Sequence, residues 1–198
     1  MPKIVDHDQY RRELLNQCFD LFAEQGYAAL TMRQIAQALG VSTGTLYHYF
    51  SSKEDLFEQL VADMVEQDIY SFAAELEKLP TFGERLEAAF RFLERNETRC
   101  RQQTLISIEF YQQQGADKVQ QNAALKKVSD HVEQALVDVL KLEDRRLIRL
   151  LMCFVDGLLM HRMFEGEAVS MTEQLALMRQ VITTYLDQQQ VRSPGDVD

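Results

Sequence analysis

Between Thr31 and Lys53 the sequence reads TMRQIAQALGVSTGTLYHYFSSK, offering hydroxyls, phenols, one imidazole, one guanidinium and one ammonium. It holds no Asp or Glu, in a chain with 31 acidic residues. Hydroxyl, phenol and imidazole protons donate to phosphate oxygens, and a guanidinium matches guanine O6 and N7 with two bonds. The chemistry on offer is recognition of a polyanion. No catalytic set accompanies it: there is no Gly-rich phosphate loop and no nucleophile elbow, and the four His and three Cys fall at no zinc-like spacing. The sequence predicts a protein that is not an enzyme and has no metal site and no cofactor.

The elements that must position these groups are short helices. Thr31 with Gln34 makes a capping box that opens a helix carrying Ile35, Ala36 and Leu39 on one face, and Gly40 ends it. Ser42 can cap a further helix from about Thr43 to Tyr49, with Leu46 and Phe50 turned inward against Ile35 and Leu39. Two short helices joined by a Gly-containing turn form a helix-turn-helix, whose second helix enters the DNA major groove. Its exposed residues would be Thr43, Gly44, Thr45, Tyr47, His48 and Tyr49. Arg33 on the preceding helix is a candidate base contact, and Lys53 a point charge for phosphate. The competing reading is a generic corner of an all-α protein with packed aromatics. A helix must turn some of Tyr47, His48, Tyr49 and Phe50 outward, which favours DNA.

The run G-x-x-T-x-x-x-I-A-x-x-x-G-V-S-x-G-T-L-Y-x-Y-F-x-S-K-x-x-L, from Gly26 to Leu56, resembles the DNA-binding domain of the TetR family of bacterial transcriptional regulators. The resemblance covers about the first quarter of the chain. It implies a three-helix DNA-binding head on a helical body, a homodimer formed largely by the last two helices, and repression relieved by a small molecule. Carried over by position, Thr31, Arg33, Thr43, Gly44, Thr45, Tyr47, His48, Tyr49 and Lys53 would be the DNA contacts. Residues 1–55 carry five Lys/Arg against seven Asp/Glu, a less basic head than many of this kind.

Upstream, Tyr10, Leu14, Cys18, Leu21 and Phe22 recur at helical spacing and Gly26 stops their helix. Downstream, a long helix runs from the Ser51-Ser52 cap to about Leu79, closed by Pro80. Further helices follow: one from the Thr81–Glu84 capping box, then about 99–113, 118–142 and 144–164, and a last one capped by Ser170 with Glu173. The fold class is all-α, an N-terminal helix-turn-helix head of residues 1–55 followed by a helical bundle of residues 56–198, about nine helices in total. The body carries 16 Lys/Arg against 24 Asp/Glu, so any anion-binding surface is local.

The stretch from Leu147 to Phe164 is apolar on nearly all sides and needs cover from its own body and from a partner chain, whereas a monomer could use it as a central core helix. Pairing it with the last helix across a two-fold axis predicts a homodimer through Phe154, Gly157, Leu158, Met178, Val181, Ile182 and Tyr185. An effector pocket in the body is expected among Phe72, Phe90, Phe110, Tyr111, His131, Met152 and His161, although Phe and Met at helical spacing are also what a core contains. Asp156 and His161 interrupt the apolar helix at a spacing of five, unsuited to chelating one metal.

Cys18, Cys100 and Cys153, far apart and odd in number, read as reduced thiols buried as small apolar groups. No signal-peptide core and no spanning apolar run occurs, so a cytoplasmic protein with no membrane partner is expected. The expected partners are a double-stranded operator, a second copy and a small-molecule effector. Two alternatives stand beside this: the same fold controlled by cysteine oxidation, and a helical small-molecule-binding protein that does not bind DNA.

Overall fold

The helix starts expected at Thr31, Ser42, Thr81 and Ser170 all carry their side-chain caps in the computed structural model, which describes residues 6–192. Among those residues the structure is all-α: α1 (His7–Gln25), α2 (Met32–Ala38), α3 (Thr43–Tyr49), α4 (Lys53–Leu76), α5 (Phe82–Arg95), α6 (Glu97–Gln114), α7 (Ala116–Gln121), α8 (Ala123–Leu140), α9 (Arg145–Glu165) and α10 (Met171–Arg192). A 3-10 turn, Gly166–Ala168, joins the last two.

Ten α-helices replace the nine expected because the segment 118–142 is broken at Asn122. That residue is extended, and its side-chain oxygen accepts from the backbone N–H groups of Ala124 and Leu125 at 3.0 Å each. Its amide also donates to Glu58 at 2.6 Å, so the break is fixed from outside as well. Helix α4 ends at Leu76, short of the expected Leu79, because Pro80 disfavours helical geometry in the residue before it.

The chain forms two compact units: residues up to Ile69 together with Gln102–Val132, and Tyr70–Arg101 together with the residues from Glu133 onward. In the first, Leu14, Leu15, Cys18 and Phe22 of α1 meet Ile35 and Ala36 of α2, Leu46 of α3 and Phe50, all buried, over Leu56, Phe57 and Leu60 of α4. Asp63 is buried there too, held by Gln67 at 2.6 Å and facing Arg12 at 3.5 Å. The second unit packs Leu86 and Phe90 of α5 with Leu147, Ile148 and Leu151 of α9 and Leu175 and Ile182 of α10. Arg162 ties this core together by pairing with Glu97, at 2.5 Å and 3.0 Å, and donating to the Val169 carbonyl.

Candidate nucleic-acid interface

Helix α2 is only seven residues long, so its ends matter more than its length. Thr31 Oγ1 accepts from the Gln34 N–H at 3.4 Å, while Gln34 Oε1 accepts from the Thr31 N–H at 3.0 Å and from its hydroxyl at 2.7 Å. Ser42 caps α3 in the same manner, accepting from the Thr45 N–H at 2.9 Å, with the two hydroxyls 2.8 Å apart. These caps leave Arg33, Thr43, Gly44, Tyr47 and His48 exposed, with Tyr47 51 % exposed. A Cβ at Gly44 would meet only Ser42 Oγ, at 3.7 Å, so the fold does not require glycine there. The missing side chain instead clears the outer face of α3. Arg33 forms no ion pair among the described residues.

Tyr49 and Lys53 are committed inward. The Tyr49 hydroxyl lies 2.9 Å from His7 Nδ1 and its ring packs against Tyr10 and edge-on to His48. His7, brought beside the recognition helix by α1, was invisible in a motif confined to residues 31–53. The Lys53 ammonium, expected at a phosphate, donates to the carbonyls of Tyr27 and Leu30 at 3.2 Å and 3.0 Å and stands 4.2 Å from the Tyr27 ring centre. Desolvation there lowers its pKa, against the opposing pull of Glu54 and Glu109.

The loop that Lys53 holds, between α1 and α2, is gripped from a second side. Glu109 of α6 accepts from the Ala28 N–H at 3.0 Å. A Cβ at Gly26 would lie 3.1 Å from the same carboxylate, and Gly26 has φ +83°. Between these polar grips the Tyr27 ring is buried against Phe22, Phe57 and Phe110, and the last two stack with centroids 3.9 Å apart. Helices α4 and α6 thus set the height at which Thr31 starts α2.

Residues 14–60, the stretch that builds this surface, match the sequence profile of the bacterial regulatory proteins, tetR family. The match is confined to that N-terminal stretch, which is of TetR type. The repressor KstR2 of Rhodococcus jostii is 43 % identical over 56 residues, which is 28 % of each chain. The TetR-type likeness in sequence therefore spans less than a third of that relative. In structure it extends further. The fatty acid degradation regulator FadR of Bacillus halodurans aligns with TM-score 0.69 over 86 % of this chain and 93 % of its own, at 16 % identity. A transcriptional regulator of Saccharomonospora viridis in complex with choline aligns with TM-score 0.66 over 89 % and 97 %, at 20 % identity. At such identities the two structures establish the fold alone.

In the helical body the residues expected around an effector are scattered in kind. Phe72 belongs to a small cluster with Leu76 and Ala88, Phe90 to the core of the second unit, and Phe110 to the stack in the first. Met152 is half-buried, whereas Tyr111, His131 and His161 are exposed. Of the residues expected at a dimer seam, Leu158 and Ile182 are buried in their own chain and Met178 packs at its margin. Phe154 and Gly157 are half-buried, and Val181 and Tyr185 are exposed. The thiols also divide: Cys18 is buried and its pKa is pushed up to about 12 by desolvation, Cys100 is half-buried, and Cys153 is exposed, contrary to the expectation of three buried thiols. Among the described residues no group of three His, Cys, Asp or Glu is placed to hold a metal ion, and no helix is long and apolar enough to cross a membrane.

Proposed function

We propose that this chain is a cytoplasmic transcription regulator, a repressor that binds a palindromic operator as a homodimer and is released by a small molecule. Residues 1–55 act as the DNA-binding head and 56–198 as the dimerisation and effector body. The observation that carries the reading is the acid-free face of Arg33, Thr43, Gly44, Tyr47 and His48, exposed together on two capped helices of helix-turn-helix type. Thr31, Thr45, Tyr49 and Lys53 serve that face mainly by shaping it.

Dimerisation is supported by apolar residues of α9 and α10 that their own chain leaves exposed or only half-buried. Leu150, Phe154, Gly157, Met160 and Phe164 recur at helical spacing on α9, and Leu177, Val181 and Tyr185 on α10. A Cβ at Gly157 would meet nothing within 4 Å, which leaves room for a neighbouring backbone. Release by a small molecule is supported by the choline bound to the Saccharomonospora viridis protein of the same fold.

Selection of bound duplexes from a random pool tests the reading. Recovery of a palindrome with two half-sites is expected, and a pool that fails to enrich overturns it. On the recovered site, Arg33→Ala should cost about 1–3 kcal/mol and relax base preference, whereas Tyr47→Ala should weaken operator and random duplex alike. Cys153, exposed on α9, favours a second reading in which thiol oxidation releases the operator. Unchanged release by peroxide after Cys100→Ser and Cys153→Ser would end that alternative.

A further inference from the structure

The first unit contains a recess of about 160 Å³ between α1, α4 and α6. Its walls are the buried side chains of Phe19, Phe57, Leu60, Met64 and Ile106. At its rim stand Val61 and two polar groups one turn apart on α6, the Gln103 amide and the exposed Ser107 hydroxyl. No charged side chain lines it.

We infer that this recess binds a small neutral amphipathic molecule, with a ring or short chain against Phe57 and Ile106 and one hydroxyl or carbonyl at Gln103 and Ser107. Its size is that of an apolar cavity of roughly 150 Å³ that stays dry and accepts benzene, so the occupant is about the size of one substituted ring. Gln103 Nε2 donates to the Asp68 carboxylate at 3.3 Å, which leaves the Gln103 amide oxygen for the occupant; a carboxylate entering there would lose its hydration beside a like charge, which excludes it.

The site also borders the grip on the loop before α2. Phe57, which walls the recess, is the ring stacked on Phe110 and packed against Tyr27, and Ile106 stands one turn before Glu109 and Phe110 on α6. An occupant that moves Phe57 or α6 changes the setting of α2, because the aromatic stack has no slack at 3.9 Å. Regulation through this site rests on the reading as an operator-binding repressor; binding itself does not, and is measured without DNA.

Phenol is a suitable probe, with benzoate as its charged counterpart. Titrating phenol into the full chain should give saturable methyl NMR shifts at Val61, Met64 and Ile106, while benzoate at equal concentration leaves them in place. Val61→Phe, which narrows the rim, should weaken phenol at least about tenfold, and Ser107→Ala should weaken it by a smaller factor with the fold intact. Absent or non-saturating shifts at these methyls, shifts centred in the second unit, or an equal response to benzoate would overturn the assignment. If phenol binds as expected and no operator can be selected, the repressor reading fails and the site stands.

Discussion

The two units dispose of their apolar residues differently. In the first, α2, α3 and the residue that follows them turn Ile35, Leu46 and Phe50 fully inward and present small, polar or phenolic groups outside. In the second, α9 and α10 fill their own core with Ile148, Leu151, Leu175 and Ile182 and still leave Phe164 82 %, Leu177 55 % and Val181 52 % exposed. The first unit closes its apolar core around the head, leaving Leu105 of α6 51 % exposed. The other has apolar surface left over, and surface of that kind marks a protein partner. Under the proposed function, recognition of DNA and recognition of a second copy would use opposite surface chemistries on one chain.

The sharpest way to break this contrast is to truncate one aromatic from each side. Phe50→Ala should cost about 3–5 kcal/mol and melt α2 and α3, as read by hydrogen exchange, because it opens a cavity in a closed core. Phe164→Ala should leave the exchange pattern of the folded monomer unchanged, measured at a concentration where the proposed dimer has dissociated. A comparable loss at both sites would show that the exposed face of α9 is packed after all.

Charges placed on the leftover surface come next. Leu177→Glu with Val181→Glu should shift the protein to monomer in sedimentation at micromolar concentration, since a seam cannot hold unpaired carboxylates without a cost of about 3–5 kcal/mol. The same pair should leave α2 and α3 protected. A dimer that survives both charges would move the interface elsewhere.

Lys53→Met separates two roles at the edge of the polar face. Losing bonds to the Tyr27 and Leu30 carbonyls should cost about 1–3 kcal/mol of stability and weaken operator binding with an unchanged salt dependence. A phosphate contact would instead lower the slope of log affinity against log salt by about one.

The smallest effect is expected at Asp156, exposed on α9 among apolar neighbours, where desolvation raises its pKa above 3.8. The folded chain holds that proton longer than the unfolded one. Its contribution to stability is therefore complete below pH 3.8 and is lost as pH rises through the raised value. Asp156→Asn should remove that part of the pH dependence, measured by thermal unfolding across the acid range, and should tighten the dimer at neutral pH.

Local chemistry made the head readable from sequence. Thr31 with Gln34, Gly40 and Ser42 mark the ends of α2 and α3 through bonds that span three or four residues. What escaped depends on residues far apart in sequence. The Lys53 ammonium turns inward because the chain from Tyr27 to Leu30 offers two carbonyls and a ring, and Glu109 reaches Ala28 across 81 residues. The recess was hidden for another reason: Phe19, Phe57 and Leu60 follow the same helical spacing whether they fill a core or line a cavity. Asn122 carried a cap signal that an otherwise continuous helical pattern concealed.

The grip of Glu109 and Phe110 on the loop before α2 bears on how such proteins can exchange parts. The first unit is not one continuous stretch, since it needs Gln102–Val132 as well as the residues up to Ile69. A head grafted onto another relative's body by a single crossover within α4 would leave its α6 behind. Gly26, Ala28 and Tyr27 would then face whatever the new body carries in place of that carboxylate and ring. Hybrid regulators should inherit operator preference from one parent and lose affinity until the 102–132 segment is transferred with the head.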